Sequence, residues 1–403
     1  MRKIQTNSAL FNRYTIAAIG DSQTDYVVPY GVDPACMWPS QLAKRLNRIG
    51  CLTRARAFGV SGDTTCNILG RADIFFQYDT PTIGIIYGGV NDPGSAVGTQ
   101  TASAGTSTTI TLQSGTLTSR LGTYIGQVIT TTGGTGSGQT KTIIAYDNTT
   151  RIATVDSAWS VTPDNTTTYT IAAITQAQTQ ANIQACIKVL KFKAVGAGAG
   201  QGCIAWTPSR LPANGEPGKR YVVMRDNSTT GGAQRTSTAQ NPNITGDYSA
   251  SPQQTVWEWR NPQAGELGWA RVATSATAAF SDGCSRVLVF TPSYLNWASG
   301  GDNYNTSTGT GSQFASYVPI HAAATAAATA ESVTLCDVYD FQSKLIYGGT
   351  FNGLVLASET TQGSESYHYV AGNQHYNAYG HDTVARAAAQ TIINTGWVTS
   401  LQS

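Results

Sequence analysis

The hydrophobic pattern of the first part of the chain changes rhythm several times. Tyr14 to Ile19 is a short continuous apolar run, the mark of a strand covered on both faces. Trp38, Leu42, Leu46 and Ile49 then recur at helical spacing, so the segment from Trp38 to Ile49 predicts a helix with one apolar face. Leu52 to Phe58 and Thr82 to Tyr87 supply two further strands, and Asp63 to Arg71 a short helix between them that Asp63 or Thr64 can cap. Strands alternating with helices in this way predict a parallel βαβ winding.

After Asp92 the sequence turns to Thr, Ser and Gly, and the next helix is delayed to Ile174–Ala194. Between them, 108–112, 124–130, 141–146, 151–155 and 168–171 alternate or run in β-branched residues between turn clusters. About five strands are expected there, near the number at which a sheet stands independently. A second irregular stretch holds two strand-like runs, 220–224 and 255–259, before the buried strand Arg286–Thr291, a helix over 314–331, a strand over 333–339 and a last helix over 378–394. The expected division is a core in three pieces, 1–95, 175–196 and 286–403, interrupted by an all-β module at 96–174 and a β-rich insertion at 197–285.

Composition narrows the function classes. Charged residues make up 12% of the 403 positions, against roughly 25% in ordinary soluble domains, which leans toward sheet-rich extracellular or virion proteins. A net charge of +2 with scattered Lys and Arg gives no basic stripe, so neither nucleic acid nor an anionic membrane is an expected partner. Seven widely spaced cysteines with no Cys-x-x-Cys pair argue against a disulfide framework and a zinc site, and read as buried thiols of a chain folded in a reducing compartment. No run is apolar for long enough to span a bilayer, and the polar N-terminus carries no secretory signal. No metal-ligand spacing or phosphate loop is present, so no cofactor is expected.

Four short segments carry candidate chemistry. Gly20-Asp21-Ser22 breaks the first strand and presents a serine at its end; Gly59-Val60-Ser61-Gly62-Asp63 and Gly88-Gly89-Val90-Asn91-Asp92 follow the second and third strands; His375-Tyr376-Asn377 precedes the last helix. In this order they resemble the blocks of the SGNH (GDSL-like) hydrolase family. That resemblance implies a flavodoxin-like α/β fold, a three-layer parallel sheet, into which the β-rich stretches read above are inserted as all-β modules. It also implies Ser22 as nucleophile, with the Ser22 and Gly62 N–H groups and the Asn91 amide as oxyanion hole and His375 as general base. A hydroxyl needs such help, because it is a poor nucleophile until a base takes its proton and donors receive the oxyanion. The inserted modules and Thr/Gly-rich composition are similar to phage tail-associated members of the family.

One family feature is missing. Family members carry Asp three residues before the histidine, and here Gly372 stands in that place. Glu365, Asp337, Asp340, Asp382 or a carbonyl near Gly372 could orient the imidazole instead. His368, with Glu365 three residues before it, is the second candidate base; His381 reads as a helix-face residue, and His321 has no partner in view. Trp257, Trp259 and Trp269 invite a sugar-stacking reading, though same-face strand residues more often pack on a neighbouring strand. The expected activity is removal of acyl groups, most simply O-acetyl, from a polysaccharide, by a chain in a phage tail or outside the cell, with other virion proteins as further partners. The alternatives are a carboxylesterase or lipase acting on small or lipidic esters, and a virion structural or glycan-binding protein that has lost catalysis.

Overall fold

The computed structural model describes residues 13–25, 32–72, 81–113, 123–147, 149–191, 284, 286–292, 314–356 and 375–398. Within these, β1 (Arg13–Gly20), α1 (Trp38–Arg48), β2 (Leu52–Gly59), α2 (Thr65–Gly70) and β3 (Ile83–Tyr87) come first. Seven strands follow: β4 (Val97–Thr101), β5 (Ala104–Gly105), β6 (Thr109–Thr111), β7 (Val128–Gly133), β8 (Thr140–Asp147), β9 (Ile152–Val155) and β10 (Thr168–Ile171). The chain returns through α3 (Gln176–Lys191), β11 (Arg286–Phe290), α4 (Phe314–Ala330), β12 (Thr334–Cys336) and α5 (Val338–Tyr347). The hairpin β13 (Gly349–Phe351) and β14 (Leu354–Leu356) and helix α6 (Ala378–Asn394) complete it.

Strands β12, β11, β3, β1 and β2 form one sheet in that order, parallel throughout. Reading the five by position in the chain gives 2-1-3-4-5, the flavodoxin-like winding. Every residue of β3 is buried, as a central parallel strand covered on both faces requires. On one face Ile16, Ala18, Ile85 and Leu288 meet Trp38, Leu42 and Leu46 of α1, Phe341 of α5 and Val384 of α6. On the other, Ala17, Ile19, Ile86 and Val289 meet α2, α3 and α4. These are the three layers; each fully buried Ile or Leu adds about 1.5–3 kcal/mol to them.

The second sheet is antiparallel, ordered β4-β10-β7-β8-β9-β6-β5. It is not free-standing. Ile110, Ile129, Ile143 and Tyr169 belong to the same apolar cluster as Ile68 of α2 and Ile187 of α3. Polar contacts add to the seam: Asn67 Nδ2 donates to Thr123 Oγ1 at 2.9 Å, and Gln178 Nε2 donates to the Gly126 carbonyl. Strand alternation announces that a face is buried without saying against what, so the shared core had no signature in the sequence.

Other details differ from expectation. Two short strands, β4 and β5, precede the first one expected, and residues 124–127 form a turn ahead of β7. The strand expected over 333–339 ends at Cys336, because the Asp337 side chain accepts from the Asp340 N–H and starts α5. Of the cysteines, Cys51, Cys66, Cys186, Cys284 and Cys336 are buried free thiols and Cys36 is half-buried. The insertion 197–285, with its two strand-like runs and all three tryptophans, lies outside the described residues apart from Cys284, as do Cys203, Glu365, His368 and Gly372.

Candidate active site

The parallel register sets Gly20 beside Gly59 on one side and beside Tyr87 on the other, so β1, β2 and β3 end at a common edge. Open α/β sheets bind ligands outside this carboxyl edge. Ser22 stands there in a turn closed by two bonds to Asp21: the Thr24 N–H donates to its carbonyl at 3.0 Å and the Gln23 N–H to its Oδ1 at 2.9 Å. A β-carbon at Gly59 would lie 2.1 Å from the Asp25 nitrogen, so only glycine lets the Ser22 loop close over the end of β2. Gly62 adopts φ of 79°, a left-handed turn that a side chain would strain.

Backbone and side-chain bonds hold the three loops together. The Val60 N–H donates to the Gly20 carbonyl at 3.1 Å, the Ser61 N–H to Asp25 Oδ2 at 3.2 Å, and Asn91 Nδ2 to the Asp63 carbonyl at 2.9 Å. Arg71 fastens them from beneath. Its Nε donates to Asp63 Oδ2 at 2.6 Å, and its two terminal nitrogens to the carbonyls of Phe58 (2.6 Å) and Gly20 (2.5 Å), with side-chain exposures of 7% for Arg71 and 1% for Asp63. In contrast, the N–H groups of Ser22 and Gly62 make no hydrogen bond to the described residues. One N–H of the Asn91 amide is spent on Asp63, leaving a second to donate elsewhere.

Three carboxylates are buried here: Asp63, which Arg71 pairs with, Asp21, which feels its charge, and Asp92, held by Thr65 and Thr179. Burial, reinforced by Asp63 and Asp92 and opposed by the Gln23 N–H and Arg71, pushes Asp21 up to about 7. Burial likewise raises Asp92 to about 6, opposed by hydrogen bonds from Thr179 and Thr65. Near neutral pH, Asp21 is therefore only partly ionised, which lessens its repulsion of negative charge developing at the neighbouring Ser22. Ser22 itself is 4% exposed, and its hydroxyl is not among the polar atoms sealed from solvent.

His375 reaches the same edge through its neighbour. The Tyr376 hydroxyl meets the Tyr87 hydroxyl at 3.0 Å at the end of β3, and the Tyr376 ring stands edge-on to His381 with centroids 5.4 Å apart. His375 and Ser22 share no direct hydrogen bond, since the His375 Nε2 makes none and is shut off from solvent. Burial lowers the His375 imidazole to about 4. Three of the acids that could have oriented it are committed elsewhere. Asp337 is bonded to His321, Asp340 to Lys344 at 2.6 Å, and Asp382 to Arg45 at 2.5 Å. His381 lies on the buried face of α6, and burial, with a smaller effect of His375, lowers it to about 3. His321, expected to lack a partner, instead pairs with Asp337 at 3.1 Å.

Ser22, Gly62 and Asn91 are thus brought to one edge by described contacts, and the His375 segment joins them through Tyr376. Sequence reading missed Arg71. The only local hint was a single cation closing an otherwise apolar short helix, eight residues after Asp63.

No family model matches this chain, and neither does any curated protein. Among solved structures it is similar to a lipase/acylhydrolase from Enterococcus faecalis, 10% identical over 97% of this chain and 100% of that chain, with a TM-score of 0.40. LAE5, an α/β hydrolase enzyme from the metagenome of Lake Arreo, Spain, is also 10% identical, with 96% and 97% covered and a TM-score of 0.40. AlinE4, an SGNH-hydrolase family esterase, is 34% identical over 20% of this chain and 42% of its own, with a TM-score of 0.18. The first two likenesses are distant and the third spans a fifth of this chain.

Proposed function

We propose that the chain is a serine esterase that removes acyl groups, most simply O-acetyl, from a polysaccharide. The observation that carries the reading is the pair of unspent N–H groups on Ser22 and Gly62, next to an Asn91 amide with a donor to spare. Backbone donors seldom go unused near a protein interior unless water or a ligand takes them. Here they flank a hydroxyl at the ligand-binding edge of the sheet.

In this reading Ser22 Oγ attacks the ester carbonyl carbon while His375 takes its proton. The tetrahedral oxyanion is received by the Ser22 N–H, the Gly62 N–H and the Asn91 amide, each donor lowering the barrier by about 2.7–4 kcal/mol. His375 then gives its proton to the departing sugar oxygen, leaving an acyl-Ser22 ester. Water, deprotonated by His375, releases the carboxylic acid and restores the serine. An imidazole lowered to about 4 is neutral at working pH, which is the form that accepts a proton. Its hydrogen bond to Ser22 forms as substrate binds, a tightening common to catalytic contacts.

A polymer substrate is supported by composition, by the β-rich sequence inserted around the core and by the resemblance of the four segments. The same features support a place in a virion tail or outside the cell. The test is acetate release from O-acetylated bacterial polysaccharides by wild type, Ser22→Ala and His375→Ala. Release by wild type and none by either variant is expected. Strong activity confined to long-chain p-nitrophenyl esters would point to a lipase, and polysaccharide binding without hydrolysis to a catalytically inactive adhesion protein.

A further inference from the structure

The carboxyl edge of the sheet carries a second polar cluster that the proposed chemistry leaves unused. His321, in the second turn of α4, holds Asp337 through Nε2 at 3.3 and 3.1 Å from the two carboxylate oxygens. Asp337 follows β12 directly and also accepts from Thr291 Oγ1 at 3.0 Å, where Thr291 follows β11. The Tyr339 ring stands edge-on to His321 with centroids 5.4 Å apart. Both members of the pair are partly open, with side-chain exposures of 32% and 27%.

Two facts place this cluster in the crevice that holds Ser22. Strand β11 lies next to β3, which lies next to β1, so Thr291 is displaced from the end of β1 by roughly 10 Å, two strand spacings. Ile320, the residue before His321, packs over Gly89, its Cγ2 3.0 Å from the point a β-carbon there would occupy. Gly89 is two residues ahead of Asn91.

A pair that merely fastened α4 to α5 would need no second ring nitrogen turned outward. Here the His321 Nε2 is spent on Asp337, whereas Nδ1 makes no hydrogen bond to the described residues and is not sealed from solvent. The hydrogen bond to Asp337 raises the His321 pKa, so the Nδ1 proton is better retained toward neutral pH. With a carboxylate beside the imidazole the cluster carries no excess positive charge, which favours a neutral hydroxylated ligand over an anion. Donor, carboxylate acceptor and aromatic ring in one cluster suit the hydroxyls and C–H face of a sugar ring.

We infer that His321, Asp337 and Tyr339 form a binding subsite for a sugar ring next to the one whose ester Ser22 cleaves. The outward His321 Nδ1 shares a hydrogen bond with one ring hydroxyl and Asp337 accepts from another. The subsite rests on the polysaccharide reading above, and it acts by positioning the substrate.

The test compares two acetyl donors, O-acetylated xylo-oligosaccharides and p-nitrophenyl acetate, on wild type, His321→Gln and Asp337→Asn, with melting temperature as a control for folding. For each variant, the ratio of kcat/KM on the oligosaccharide to kcat/KM on p-nitrophenyl acetate is expected to fall about tenfold, the size of one lost hydrogen bond. The loss should lie mainly in KM. An unchanged ratio, with both activities falling together or neither falling, overturns the subsite and leaves the pair a structural tie. A wild type that cleaves p-nitrophenyl acetate but neither these oligosaccharides nor any of the O-acetylated bacterial polysaccharides above overturns the polysaccharide reading itself, and the subsite with it.

Discussion

The two histidines at the carboxyl edge of the sheet sit in opposite environments. His375 is buried and neutral, lowered to about 4, and the candidate acids Asp340 and Asp382 are bonded elsewhere. His321 is half open and raised by a carboxylate it contacts directly. The pair that looks like two members of a triad is thus not the one beside Tyr376 and the serine loop. A carboxylate at hydrogen-bond distance orients an imidazole and favours its protonated form, whereas a general base must be neutral and within reach of a hydroxyl. On the proposed reading, proton transfer at Ser22 falls to the imidazole that burial keeps neutral, and substrate holding to the one paired with Asp337.

The sharpest way to break this division is to remove each side chain in turn. His375→Ala is expected to lower kcat/KM on p-nitrophenyl acetate by on the order of 10⁴- to 10⁶-fold, as loss of a base does in serine hydrolases. Asp340→Asn and Asp382→Asn should each stay within about tenfold of wild type in steady-state kinetics. Collapse of turnover in either one would make that carboxylate the missing orienting acid.

Next in size is the support beneath the loops. Arg71→Met strands Asp63 in the interior, and breaking a buried pair from one side costs about 3–5 kcal/mol. Urea unfolding would read that loss, and a change under 1 kcal/mol would mean the loops hold without it. Asn91→Ala removes one oxyanion donor and is expected to lower kcat by about 10²- to 10³-fold with little change in KM. A KM effect alone would move Asn91 from stabilising the transition state to binding the ground state.

The smallest effect is in pH. Activity requires neutral His375, so kcat/KM should hold as pH falls and drop only near 4, where the imidazole protonates. An acid limb near 6.5 would mean that the base is an ordinary, solvated histidine.

Much of this was legible in the chain because it is local. The strand ends that present Ser22, Gly62 and Asn91 are marked by apolar runs breaking at glycine, and the cap at Thr64 by its place before an apolar turn. The capping box with Asn67 then forms as such positions allow. What could not be read depends on distance in sequence. Asp337 and His321 are joined only when β11 and β12 pair and α4 folds over them, and a seven-residue strand pattern over 333–339 concealed the helix start that Asp337 provides. Arg71 gave no periodic signal, since its role comes from carbonyls on two other strands. The β-module looked independent because alternation reports a buried face and not the identity of the surface covering it.

The most direct measurement is chemical labelling of the nucleophile with phenylmethylsulfonyl fluoride, followed by peptide mass mapping and a time course. A single sulfonyl adduct on Ser22 is expected, absent in Ser22→Ala and formed at least a hundredfold more slowly in His375→Ala. An adduct on another residue, or labelling of His375→Ala at the wild-type rate, would contradict the pairing of that serine with that histidine.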